Sequence, residues 1–116
     1  MSNMNMFFRW NEALKKRRKE VSAACTIRTG RTADAFAVDN PVEITVGANT
    51  YTVTVPDGIV LGQQIIFFCD SRTSGTVTVA TTTGTDLTLD ATGEWGILMW
   101  TDSTTGWVKM AGASGT

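Results

Sequence analysis

Residues Asp86 to Met110 read DLTLDATGEWGILMWTDSTTGWVKM and hold three of the chain's four tryptophans: Trp95, Trp100 and Trp107. Turn-forming clusters at Ala91-Thr92-Gly93 and Asp102–Gly106 divide the stretch into three short strands. In the middle strand, 94–101, alternation sends Trp95, Ile97 and Met99 to one face and Leu98 and Trp100 to the other. Both faces are apolar. A strand wet on one side gives no reason for a tryptophan there, so this strand is expected to be covered twice, once by its own domain and once by another surface.

The same pattern continues toward the N-terminus. Val42–Val46 ends at Gly47-Ala48-Asn49, and Thr50–Val55 alternates up to the turn Pro56-Asp57-Gly58. The run Gln64-Ile65-Ile66-Phe67-Phe68-Cys69 is the second strand with two apolar faces. Thr76–Thr82 and Asp86–Asp90 alternate threonine or aspartate with Val77, Val79, Leu87 and Leu89. Seven strands with turns at intervals of about 8–12 residues predict a mainly β fold, an antiparallel, jelly-roll-like sandwich over 42–116. The tail AGASGT is expected to end at the surface with nothing to pack on.

A strand in one small sandwich has one core face, so the second apolar faces of 64–69 and 94–101 predict self-association. The residues assigned to core or subunit interface are Ile65, Phe67, Phe68, Trp95, Leu98, Trp100 and Trp107. Burying one such side chain is worth about 1.5–3 kcal/mol, enough for two strands per subunit to hold an assembly.

The N-terminal part is built differently. Phe7, Trp10, Leu14 and Val21 recur at helical spacing, which predicts an amphipathic helix over 1–21 that falls short of a coiled coil. Residues 22–41 have no sustained period and read as an extended arm with a short strand near Cys25–Arg28. Residues 1–31 carry eight basic groups against Glu12 and Glu20, a net +6, and the remainder carries Arg72 and Lys109 against nine acids, a net −7. A basic arm on an acidic body implies that the two parts face different surroundings. Phe7, Phe8, Trp10 and Leu14, followed by Lys15, Lys16, Arg17 and Arg18, are the candidate anchor: an aromatic stripe for a groove and a basic cluster for an acidic surface. The same stripe can instead pack on the chain's own β domain, and a helix lying on a membrane fits less well.

The catalytic inventory is thin. The chain has no histidine, no Gly-rich phosphate loop and no nucleophile elbow, and Cys25 and Cys69 are too few for a structural zinc site. Both cysteines are expected reduced. Asp86, Asp90, Glu94 and Asp102 cluster in sequence, but outward acids on a strand edge serve solubility. No enzyme, cofactor or metal is expected. KKRRK is short and has no second basic stripe beside it, which argues against a nucleic-acid partner. No stretch approaches the roughly 18 apolar residues of a membrane span, and no cleavable leader is recognisable.

Three pieces, TYTVTVPDGIVLGQQIIFF from Thr50, SGTVTVATTTGTDLTL from Ser74 and GEWGILMWTDSTTGWVKM from Gly93, carry a resemblance. Over residues 42–111 the chain resembles small virion-surface proteins of tailed bacteriophages, in which a short terminal hairpin with Gly-Trp-Val recurs. The resemblance implies a trimeric β-sandwich, jelly-roll-like or tumour-necrosis-factor-like. It implies a capsid decoration (cement) or head-fibre protein, with the N-terminal arm fixed to the major capsid protein and the product assembled in the bacterial cytoplasm. Two other roles belong to the same group. One is a receptor- or glycan-binding fibre tip, with an outward Trp100 or Trp107 as a platform for a host surface glycan; the other is a head–tail connector or tail component.

Overall fold

The computed structural model describes residues 18–29 and 39–113. Nine strands form within them: β1 (Lys19–Val21), β2 (Cys25–Thr26), β3 (Val42–Gly47), β4 (Tyr51–Val55), β5 (Gln64–Arg72), β6 (Val77–Thr81), β7 (Leu87–Leu89), β8 (Trp95–Trp100) and β9 (Trp107–Ala113). They make two sheets, in the orders β1-β3-β5-β8-β9 and β2-β4-β6-β7, that share one hydrophobic core. The fold is mainly β, and the seven strands read between 42 and 111 are β3 to β9.

The topology differs from the expected antiparallel jelly roll. From β1 to β6 the chain changes sheet at every step, and each strand returns parallel to the one two before it: Lys19 lies opposite Val42, Cys25 opposite Val53, Val42 opposite Phe67 and Tyr51 opposite Val77. Only β7, β8 and β9 pair antiparallel with their neighbours. Both sheets are therefore mixed. Link length explains the change of layer: at about 3.3 Å per residue, the three residues 48–50 span the roughly 10 Å between packed sheets. Gly47, at φ 62°, turns the chain out of β3 in a conformation that side-chain-bearing residues rarely take. Alternation looks the same whichever way a half-buried strand's neighbour runs, so the sequence pattern does not distinguish the two topologies.

The N-terminal expectations change as well. Residues 1–17, and with them Phe7, Phe8, Trp10, Leu14, Lys15, Lys16 and Arg17, lie outside the described residues. The end of the expected helix is a strand: Lys19–Val21 pairs with β3 as the border of the larger sheet, with Val21 in the core. Cys25–Thr26, where the arm was expected to hold a short strand, borders the smaller sheet. The sandwich thus begins well before Pro41. Asp39, 1% exposed, fastens this region by accepting from the Arg28 backbone N–H at 2.8 Å and from its guanidinium at 2.7 and 3.1 Å. Gln63, fully buried, donates to the Thr29 carbonyl and accepts from the Ile59 N–H at 2.9 Å, joining 27–29 to the loop before β5.

At the other end, β9 runs on to Ala113 and pairs Ala111, Gly112 and Ala113 with Ile97, Gly96 and Trp95, so the tail is structured further than expected. A bulge between Ile97 and Leu98 leaves Met110 as the extra residue. The two layers are tied at Trp107, whose N–H donates to the Thr83 carbonyl at 2.9 Å and whose carbonyl accepts from Thr85 at 2.8 Å.

Candidate interaction surface

In β5 the side chains of Ile65, Phe67 and Cys69 are buried, and in β8 those of Leu98 and Trp100, with Gly96 between the layers. Their opposite faces form the outside of the five-stranded sheet. There Phe68 sits opposite Trp95, Ile66 opposite Ile97, and Met99 between Gln64 and Val108. Cross-strand partners stand about 4.5–5.5 Å apart at Cβ, so these side chains make a continuous apolar strip. Ile66 is 37% exposed and Phe68 39%; Trp95, Ile97, Met99 and Val108 are half-buried against one another.

At the β1 end the strip dips into a groove of about 480 Å³ lined by Arg18, Pro41, Val42, Glu43, Ile66, Phe68 and Trp95. The parallel register builds it: pairing β3 with β5 sets Glu43 beside Phe68, and β1 brings Arg18 to the rim. Asn40 braces it, its side-chain oxygen accepting from the Ile66 N–H at 2.9 Å. Arg18 donates to Glu20 and lies 3.3 Å from the Glu43 carboxylate. The hydrogen bond to Glu20, then the charges of Glu43, Glu20 and Asp70, raise the guanidinium pKa above its ordinary value. The groove is thus apolar inside with an ion-paired border on one side.

The residues singled out from sequence separate into three places. Ile65, Phe67, Leu98, Trp100 and Trp107 are core. Phe68 and Trp95 meet on the outer face, and Arg18 rims the groove; the remaining anchor residues lie outside the described chain. The second apolar face of β8 is the Trp95, Ile97 and Met99 side, whereas Trp100 is covered within its own domain. A sugar platform on Trp100 or Trp107 does not fit, because the two are 5% and 0% exposed. Ile66 could have been picked out by alternation from Phe68. Pro41 and Glu43 had no such signal, since only the parallel pairing brings them to the strip.

The acids take backbone roles. Asp86 accepts from the Thr81 N–H at 2.8 Å, Asp102 accepts from Thr104 and Thr105, and the buried Glu94 accepts from the Asp90 N–H at 2.7 Å. The hydrogen bond and charge of Glu94 raise the Asp90 pKa. Desolvation does the same to the buried Cys69 thiol. Among the described residues no three His, Cys, Asp or Glu side chains converge to hold a metal, and no helix is long and apolar enough to cross a membrane. Compared with protein-family models and with curated proteins, the chain matches none.

Proposed function

We propose that the protein is a non-enzymatic structural component of a tailed-bacteriophage virion surface, a capsid decoration or head-fibre protein. It works as a homotrimer whose subunits meet through the outer face of the five-stranded sheet, with residues 1–17 as the anchor to the major capsid protein. The observation that carries the assembly part is the exposed pair Ile66 and Phe68 beside Trp95, on a strip whose β8 members are all apolar. A free monomer has no reason to keep large apolar side chains together in water. The virion part is supported by the strand and turn pattern of residues 42–111 and by the net +3 charge of residues 1–17, Arg9, Lys15, Lys16 and Arg17 against Glu12.

The test is a chain lacking residues 1–17. A longer deletion, through residue 31, removes β1 and β2 and damages the sandwich itself. The shortened chain is expected to keep its oligomeric mass and to be missing from virions propagated with it as sole copy. Normal incorporation refutes the anchor.

A further inference from the structure

Among the described residues, the exposed large apolar side chains fall in two places. Ile66, Phe68 and Met110 belong to the five-stranded sheet; Ile59 and Leu61, 42% and 74% exposed, stand on the loop 56–62. That loop is fixed to the far end of the β5–β8 pair. Gly62 donates to the Trp100 carbonyl at 2.9 Å, and Gln63 closes the turn onto Val60 at 3.0 Å. The groove lies at the other end, where Phe68 faces Trp95. From Gln64 to Phe68 the strand advances about 13 Å. One end of the sheet therefore bears an apolar knob and the other an apolar socket.

We infer that the groove receives Leu61 of a second copy of this chain, so that subunits join head to tail. The inference rests on the outer face being a subunit contact. Size argues for the second copy's loop over a face-to-face pair. The strip over β5, β8 and β9 measures on the order of 15 Å by 17 Å, about 250 Å². A stable interface needs about 800 Å² from each partner. Face against face, each copy hides only its strip and leaves Ile59 and Leu61 in water. Head to tail, each copy covers the groove end of its strip with one neighbour's loop and buries its own loop against the other neighbour, so a second apolar place leaves the water. A cavity of about 480 Å³ takes a leucine and its neighbouring apolar atoms. Such a contact is heterologous, and it closes into a ring only when its rotation divides a full turn, as for three subunits.

The experiment mixes two full-length chains, Leu61→Cys and Phe68→Cys, both also carrying Cys25→Ser, and treats them with a short bis-maleimide. Cys69 is buried and stays out of the reaction. The expected product is a linked pair containing one chain of each kind, formed in the mixture and not by either chain alone. Linking of Phe68→Cys chains to one another, or no mixed pair while the oligomer persists, overturns the knob-in-socket contact. A second measurement is association of Leu61→Asp, expected to weaken at least tenfold. If Phe68→Asp dissociates the assembly and Leu61→Asp leaves it unchanged, the face stands as a contact and the Leu61 socket falls. A wild-type chain that never associates overturns both.

Discussion

Trp100 and Trp107 meet edge to face in the core, their ring centroids 5.5 Å apart and their planes at 63°. In-register pairing of β8 with β9 brings them together, and the Trp107 indole N–H donates to the Pro56 carbonyl at 2.9 Å. One side chain thus links the last hairpin to the loop that carries Leu61. Trp107→Ala is expected to cost about 3–5 kcal/mol, as large aromatic deletions in cores do. Urea denaturation checks it, with Trp107→Phe falling between, because it keeps a ring but leaves the Pro56 carbonyl without its donor.

Gly58 packs against the other ring. A Cβ there sits 2.3 Å from Trp100 Cγ, closer than any real contact. Gly58→Ala is expected to push Trp100 off its rotamer and to destabilise by about 1–3 kcal/mol. A lower urea midpoint with an altered near-ultraviolet tryptophan signal is the expected readout; an unchanged midpoint contradicts the close packing.

Two aspartates give opposite pH dependences around their ordinary value of 3.8. Asp90 is raised by the hydrogen bond and charge of Glu94, so its contribution to stability is full below 3.8 and is lost as pH rises through the higher folded value. Asp102 is lowered by the backbone N–H groups of Thr105 and Thr104, so its contribution is present above 3.8 and is lost as pH falls through the lower folded value. Thermal midpoints followed from about pH 2 to about pH 7 are expected to show Asp90→Asn flattening the decline on the upper side. Asp102→Asn is expected to flatten the decline on the acid side.

Strand positions were legible in the sequence because burial has a period of two. Val53, Val55, Val77 and Val79 alternate with threonine or alanine, and all four valines are fully buried. Which strands become neighbours was not legible. Lys19 opposite Val42 and Val42 opposite Phe67 are parallel pairings between segments far apart in sequence, and alternation carries no sign of direction. The helical spacing of Trp10, Leu14 and Val21 also misled at its end: Val21 is buried as a strand residue, because the open edge of β3 gives its backbone hydrogen-bond partners. Half of the candidate surface was readable for the same reasons. Phe68 and Trp95 were singled out, while Asn40, Pro41 and Glu43 reach the groove through the register alone.

Phe68 is 39% exposed and stands on the outer face beside Trp95, so replacing it spares the core between the sheets but removes packing on that face. Phe68→Asp is expected to destabilise the separated subunit in urea by about 0.5–3 kcal/mol, less than Trp107→Ala, and to leave it folded. A large loss would mean that the side chain is needed for folding rather than for contact.

Sedimentation equilibrium of the full-length chain at micromolar concentration, beside Phe68→Asp, addresses the outer face of the five-stranded sheet most directly. The expected result is the mass of three chains for the wild type and of one folded chain for the variant. A wild-type protein that stays a single chain, or an oligomer indifferent to Phe68→Asp, contradicts the role given to that face.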